Sequence, residues 1–165
     1  MLNPVDYLKV FQSIPWFLEL KPESLERLAS IAQICQLAPG EVLFQEGDRS
    51  NYLYLLLDGE VNLTSHVPTH GSLQIYTAQP LDVIGWSSLT PIVRQRTANA
   101  QAVSATRLLT FDGESLRKLC EQDHDLGFII MRRLANVVAS RLLITRLQLL
   151  DLIVQNSEEL ANHRL

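Results

Sequence analysis

Apolar residues follow helical spacing at the start of the chain. A short helix is predicted over residues 4–13, and the run Ile14-Pro15-Trp16-Phe17 interrupts it. Pro22 then opens a second helix at its first position, where the missing N–H costs little. Leu25 and Leu28 begin the apolar face of that helix. We therefore expect N-terminal helices over residues 4–30.

From about Ala32 to Phe111 the pattern changes to short apolar runs separated by turn residues. The turns are Gly47-Asp48, Asp58-Gly59, Pro68-Thr69-His70-Gly71 and Gln79-Pro80. Strands at such regular spacing predict an antiparallel sandwich or barrel over residues 32–111. Asp58-Gly59 is typical of a tight hairpin turn, and the runs 99–103 and 107–111 are predicted to form a final hairpin. Residues 85–89 are predicted as a turn or a single helical turn.

After Asp112 the spacing becomes helical again. Asp112 can cap a helix to about Glu121, and a longer helix is predicted from near Asp123 to about Val154. The C-terminal helices thus span residues 112–154, and the polar tail 155–165 is expected to be loosely ordered.

Apolar positions in the long helix alternate at spacings of four and three, as in the seam of a coiled coil. The seam residues are Met131, Ala135, Val138, Leu142, Thr145, Leu149 and Leu152. Arg132, Arg133, Arg141 and Arg146 fall off this seam. Further apolar residues widen the band beyond one stripe, so we expect one face to cover the strands and another to pair with a second copy of the chain. The alternative is a single core helix lying on the barrel.

Composition limits the function classes. The 165 residues are 47% hydrophobic and 19% charged, which fits one globular domain. A net charge of −4 does not favour non-specific nucleic-acid binding. Cys35 and Cys120 lie in apolar patterns without the spacing of a metal site. With no signal-peptide pattern, no apolar run of membrane length and no catalytic or phosphate-loop motif, we expect a cytoplasmic protein that is not an enzyme and holds no metal.

The run Pro39-Gly40-Glu41-Val42-Leu43-Phe44-Gln45-Glu46-Gly47-Asp48, followed by the run 52–61 around Asp58-Gly59, carries a family resemblance. Its glycines and turns resemble those of the cyclic-nucleotide-binding domain of the catabolite-activator and protein kinase A regulatory-subunit superfamily. The resemblance covers roughly residues 17–154. It implies one domain over residues 1–154, of α+β class but mainly β. The implied fold is an eight-stranded antiparallel jelly-roll barrel (a double-stranded β-helix) with N-terminal helices and a long C-terminal helix.

The resemblance also implies a phosphate-binding cassette. Its predicted ligand-binding residues are Gly85, Trp86, Ser87, Ser88, Leu89, Arg96 and Thr97. A glycine lets backbone N–H groups face an anion, and an arginine offers a forked charge. Arg94 is a possible substitute charge. Trp86 replaces the family's glutamate for the ribose hydroxyl; as an indole it can only donate, and it can either plug the pocket or stack on a ligand. The family alignment puts Val137 and Val138 at the base-contacting positions.

These features predict a small-ligand-sensing regulatory domain that binds a cyclic nucleotide or related phosphate-bearing ligand and signals through its C-terminal helix. One alternative is a degenerate module that only dimerises. Another is the sensor half of a transcription regulator that lacks its own helix-turn-helix, the DNA-binding element, because too few residues follow Val154 to form one. We expect a homodimer through the C-terminal helix, no cofactor apart from the possible nucleotide, no direct DNA binding and no membrane. The ligand's identity stays open.

Overall fold

A computed structural model describes residues 4–49, 51–68, 71–90, 92, 93 and 95–162. The helices are α1 Pro4–Gln12, α2 Pro22–Ile31, α3 Gly113–Gln122 and α4 His124–Asn162, with 3-10 turns at Pro15–Phe17 and Trp86–Leu89. The strands are β1 Ala32–Leu37, β2 Val42–Phe44, β3 Tyr52–Asp58, β4 Val61–Val67, β5 Gly71–Ala78, β6 Val83–Ile84, β7 Asn99–Ala102 and β8 Thr106–Asp112.

The strands form two antiparallel four-stranded sheets, in the orders β1-β8-β3-β6 and β2-β7-β4-β5. The prediction of an α+β chain with eight antiparallel strands, N-terminal helices and a long C-terminal helix is therefore confirmed at this level. In the described residues the strand pairing gives two separate sheets and not one continuous ring.

Alternation along the central strands builds two cores. In β3, Leu53 and Leu55 pack into a core shared with the helices, while Tyr54 and Leu56 pack into a core between the two sheets. Successive side chains of a strand point to opposite faces, so a nearly continuous apolar run is what a strand buried on both faces needs. The first sheet is thus the middle layer, with helices on one face and the second sheet on the other.

Both predicted tight hairpins are wrong in their pairing. Asp58-Gly59 joins β3 to β4, and the runs 99–103 and 107–111 correspond to β7 and β8, but in each case the two strands belong to different sheets. The residues of a turn determine where the chain bends, whereas the strand with which each strand pairs depends on which apolar side chains become buried. β8 is buried over most of its length and pairs on both sides, with β1 and β3. The strands on either side of the predicted turn at residues 68–71, β4 and β5, do pair with each other, while residues 69 and 70 lie outside the described chain.

The C-terminal helices follow the prediction except at the end. The Asp112 carboxylate caps α3 by accepting a hydrogen bond from the Ser115 N–H at 2.8 Å. α4 packs on the helix-side core through Leu126, Ile130 and Leu134, spaced four apart. It continues as helix to Asn162, so the tail predicted to be loosely ordered from residue 155 is helical that far. Nowhere in the described chain is a helix both long and apolar enough to span a membrane.

Candidate functional site

A cavity of about 380 Å³ opens between the second sheet, the Trp86–Leu89 turn and α4. Strand residues form one wall, the residues after Ile84 and around Arg96 form the second, and α4 forms the third. The lining residues are Phe44, Leu63, Ile75, Tyr76, Val83, Ile84, Gly85, Trp86, Ser87, Arg96, Thr97, Ala98, Val138, Arg141, Leu142 and Thr145.

Arg96 is the buried charge of this cavity, with 4% of its surface exposed. Its Nη2 donates to the Tyr52 carbonyl at 2.9 Å, and its guanidinium carbon lies 4.2 Å from the centre of the Phe44 ring. Its Nε and Nη1 have no hydrogen-bond partner within the described part of the chain. Burial lowers the pKa of Arg96, although a guanidinium stays protonated in proteins. A buried guanidinium that has two nitrogens without hydrogen-bond partners is the kind of group that a bound anion stabilises.

Backbone contacts between two loops hold Arg96 in place. The Gly47 N–H donates to the Arg96 carbonyl at 2.9 Å, and the Arg96 N–H donates to the Asp48 carbonyl at 2.8 Å. The Gly47-Asp48 turn found in the sequence therefore fixes the backbone from which the arginine enters the cavity.

Gly85 makes room for the guanidinium. Its φ is +77°, in the left-handed region where side chains are strained. A Cβ there would overlap Arg96 Nη1 and lie 2.8 Å from the Tyr52 carbonyl oxygen. The glycine is needed both for the turn and for the close approach of the arginine.

The structure brings five of the seven predicted cassette residues to the cavity: Gly85, Trp86, Ser87, Arg96 and Thr97. The half-buried Trp86 also packs against the helix-side core. Ser88 is buried, its carbonyl accepts a short hydrogen bond from Arg117, and its hydroxyl has no partner among the described residues. Leu89 packs in the helix-side core. Ser88 and Leu89 are therefore not on the cavity wall, and Arg94 lies outside the described residues.

On α4, Val138 lines the cavity, but Val137 does not: it packs against the helix-side core. The placement of Val137 as a base-side residue is corrected accordingly. Residues 138, 142 and 145 repeat every three or four positions and share one helix face, whereas 137 is rotated by about 100° from 138. The same geometry brings in Arg141 and Thr145, which supply polar groups that the alignment did not assign to the cavity.

Arg141 is the charged cavity residue that the sequence analysis did not assign to the site. Its guanidinium carbon lies 3.0 Å from the centre of the Tyr76 ring, and Nη2 is 3.7 Å from Asp82 Oδ2. The Tyr76 hydroxyl donates to the same oxygen at 2.8 Å, and burial followed by this bond raises the pKa of Tyr76. Arg141 Nη1 has no partner within the described chain. The signal for Arg141 was its spacing on the helix, three residues after Val138 and four before Thr145.

The cavity is positively charged and otherwise largely apolar. Arg96 and Arg141 face it, and no Asp or Glu belongs to the described residues that line it. No cluster of metal-ligating side chains occurs in the described ranges. The site can therefore hold an anion with an apolar body, and it offers no acid–base pair of carboxylates.

The described chain thus places two four-stranded sheets, a buried arginine and a long helix around one cavity. Residues 34–123 match the family model described as the cyclic nucleotide-binding domain, and the chain belongs to this family. The resemblance seen in the sequence is thereby confirmed.

The chain is also similar to individual proteins and to solved structures of this family. The chain is 26% identical over 137 residues, or 83% of its length, to the CRP-like cAMP-activated global transcriptional regulator of Mycobacterium tuberculosis. Among solved structures, a cyclic nucleotide-binding domain from Methylobacillus flagellatus is 25% identical with a TM-score of 0.75, covering 90% of this chain and 83% of that one. The Thermus thermophilus catabolite activator protein is 28% identical with a TM-score of 0.68, covering 85% and 63%. The chain spans 29% to 59% of the length of the curated relatives that it matches.

Proposed function

We propose that this domain is a regulatory sensor that binds a small phosphate-bearing ligand, a cyclic nucleotide or a relative of one, in the cavity under α4. The observation that carries the proposal is Arg96: it is buried, it lines the cavity, and it keeps two guanidinium N–H donors without partners in the described chain. Burying an unpaired charge is costly, and a phosphate oxygen would remove much of that cost.

The size of the cavity supports a ligand over a filled pocket. Small-molecule sites have volumes of roughly 300–1,000 Å³, and about 380 Å³ stays open beside Trp86. If the indole were a plug, this space would be closed. The open volume therefore favours Trp86 as part of the wall and weakens the alternative of a degenerate module that only dimerises. Two facing sheets around one core also support the jelly-roll arrangement expected for the family.

α4 supplies the route by which binding could be signalled. Four of its residues, Val138, Arg141, Leu142 and Thr145, line the cavity, so a ligand would contact the helix directly. A ligand shifts a conformational equilibrium only by its different affinity for the two states. Contacts on a helix that is packed at one end and exposed at the other give such a difference.

We also propose that α4 pairs with a second copy of the chain. Large apolar side chains are exposed along its C-terminal half: Leu142, Leu143, Leu147, Leu149, Leu150, Leu152, Ile153 and Val154. An apolar stripe of this length on a soluble domain usually marks an interface, and two-fold pairing is the commonest way to bury it. A named relative is a transcriptional regulator, which supports a role for the pair in controlling a partner and leaves DNA contact to another domain.

Thermal unfolding of the purified, dialysed protein with added cyclic AMP, cyclic GMP, AMP or inorganic phosphate tests the proposal. We expect at least one phosphate compound to raise the Tm of the natural chain and to have no effect on Arg96→Met. Arg107→Met is the matched control, since Arg107 is exposed on β8. If none of the four compounds raises the Tm, or if Arg96→Met responds as the natural chain does, the proposal is wrong.

A further inference from the structure

Two arginines reach the same cavity from different layers of the molecule. Arg96 enters from the loop before β7 and lies on the Phe44 ring, while Arg141 reaches down from α4 onto the Tyr76 ring. Each keeps one or two buried N–H groups that have no partner in the described residues. Unpartnered donors of two cavity-lining residues are thus found on the sheet side and on the helix side, and each of these nitrogens is covered by neighbouring protein atoms.

Neither positive charge is fully compensated by the protein. Arg96 has no ion pair within the described ranges. Arg141 has Asp82, but at 3.7 Å the contact exceeds hydrogen-bonding distance. The same Asp82 oxygen already accepts hydrogen bonds from the Tyr76 hydroxyl at 2.8 Å and the Gln79 N–H at 2.9 Å. Arg141 is thus the third and most distant partner of that oxygen, and its own Nη1 is buried with no hydrogen-bond partner in the described chain.

The positive charge of the cavity favours phosphate compounds with a larger negative charge over those with a smaller one. A cyclic phosphate is a diester with one negative charge, whereas a phosphate monoester carries about −1.5 to −2 at pH 7. Two arginines without a lining carboxylate match the monoester better. The remaining wall is apolar and aromatic, with Phe44, Trp86 and Leu142, which fits the flat body of an organic ligand. No lining carboxylate is available to accept the hydroxyls of a sugar.

We propose that the natural ligand is an organic phosphate monoester, a dianion with an apolar or aromatic body, and that Arg141 is the residue that selects it over a cyclic diester. This inference rests on the proposed function, since it assigns a ligand class to the same cavity. The dianion lies between Arg96 and Arg141. Binding then ties α4 to the sheet side of the cavity and replaces part of the Arg141–Asp82 attraction.

Calorimetry with four probe compounds measures separately how the phosphate charge and the organic body of a ligand contribute to its affinity. AMP is a dianion with an aromatic body, cyclic AMP is a monoanion with the same body, adenosine is that body without phosphate, and inorganic phosphate is an anion without a body. For the natural chain we expect AMP to bind more tightly than cyclic AMP by at least about 10-fold, the value of one charged hydrogen bond. Adenosine and inorganic phosphate should bind more weakly than AMP.

Arg141→Gln should lower AMP affinity roughly 10- to 150-fold and should lower cyclic AMP affinity by a smaller factor, because the cyclic diester carries less negative charge. Arg146→Gln is the matched control on the same helix and should change neither, because Arg146 is exposed and does not line the cavity. Circular dichroism and thermal unfolding establish that both variants are folded. If Arg141→Gln does not fold, the AMP-to-cyclic-AMP ratio and the pH profile of the natural chain decide the question.

The pH dependence gives an independent measurement. The second pKa of a phosphate monoester is about 6, so AMP affinity should rise between about pH 5 and pH 7.5 in the natural chain and should rise less in Arg141→Gln. Cyclic AMP has no such ionisation, so its affinity should not change with pH over this range.

Two results together would overturn the inference and leave the proposed function standing: cyclic AMP binds as tightly as AMP or more tightly, and Arg141→Gln changes neither affinity. Inorganic phosphate binding as tightly as AMP would overturn the claim that the body is recognised. No binding by any probe would overturn both.

Discussion

At the scale of single residues, Gly85 is where backbone conformation and ligand chemistry meet. Gly85→Ala forces a Cβ into the space of Arg96 Nη1 and close to the Tyr52 carbonyl. A side chain in the left-handed region costs about 1–2 kcal/mol by itself, and the overlap adds to that cost. We expect a lower free energy of unfolding in urea and loss of the ligand-induced rise in Tm, because Arg96 must move.

Gly40→Ala is the matched control for this prediction. Gly40 has a φ of +83°, close to that of Gly85, but a Cβ there meets nothing within 4 Å. Gly40→Ala should therefore show the backbone cost alone and keep ligand binding. Equal destabilisation by the two variants would mean that the contact with Arg96 contributes nothing.

Trp86 sets the second residue-scale prediction, on cyclic AMP. Since a carboxylate can accept the ribose hydroxyl and an indole cannot, Trp86→Glu should tighten cyclic AMP binding roughly 10- to 150-fold. The gain for AMP should be smaller, because AMP has the same ribose hydroxyl but its dianion is repelled more strongly than a monoanion by the added carboxylate. Calorimetry on Trp86→Glu and on the neutral control Trp86→Gln checks this. Sub-micromolar cyclic AMP binding by the natural chain would contradict the premise.

The sequence could predict the residues of the cavity that form a contiguous motif, but not those that depend on helix rotation. Gly85, Trp86 and Arg96 are recognisable because the cassette is local in sequence. Arg141 could not be recognised in this way, since a helix side chain belongs to whichever face the packing turns inward. The spacing of Val138, Leu142 and Thr145 was found correctly as one face, but it does not say whether a cavity or a second helix covers that face.

At the scale of elements, Asp112 determines where β8 ends and α3 begins. Its carboxylate accepts hydrogen bonds from the Ser115 N–H and hydroxyl, and these bonds lower the pKa of Asp112 below its ordinary value. A depressed folded-state pKa means that the stabilisation is present above the unfolded-state pKa, near 3.8, and is lost as the pH falls through the lower folded-state value.

Asp112→Ala should therefore reduce the free energy of unfolding by about 0.5–2 kcal/mol at neutral pH. The difference from the natural chain should shrink below about pH 4, where the carboxylate of the unfolded chain becomes protonated. Asp112→Asn is the control, because it keeps an acceptor for Ser115 and removes only the charge. Urea unfolding at several pH values measures all three. A difference that is constant from pH 7 to pH 3 would show that ionisation of Asp112 does not matter.

Strand positions were predictable from the sequence, whereas strand partners were not. The turn residues mark the bends at Asp58-Gly59 and after β7 correctly, yet each bend carries the chain from one sheet to the other. β3 and β8 are adjacent in one sheet although more than forty residues separate Tyr54 from Thr110 along the chain. Such pairing is decided by burying apolar residues on both faces of a strand, which no local turn pattern encodes.

At the scale of the whole molecule, α4 connects the cavity to the proposed dimer. At about 1.5 Å per residue its 39 residues extend about 58 Å, longer than its packing on the core requires. Its first half packs through Leu126, Ile130 and Leu134, its middle covers the cavity, and its last part exposes Leu149 and Leu152. An isolated helical segment with so much exposed apolar surface is only marginally stable, so a partner helix would stabilise it.

The seam and the cavity share residues, and the choice of variant has to respect this. Leu142 is 70% exposed and lines the cavity, so Leu142→Glu would disturb ligand binding and pairing together. Leu149 is 57% exposed and lies beyond the cavity. Leu149→Glu should therefore convert a dimer into a monomer in sedimentation at micromolar concentration, because it places two like charges opposite each other in an apolar seam. Arg146→Glu, off the seam on the same stretch of helix, should remain dimeric.

A natural chain that sediments as a monomer would refute the pairing of α4. A monomeric Leu149→Glu that binds AMP as tightly as the natural chain would show that each subunit carries a complete site. Weaker AMP binding by that monomer would instead mean that the second helix closes the mouth of the cavity beside Leu142.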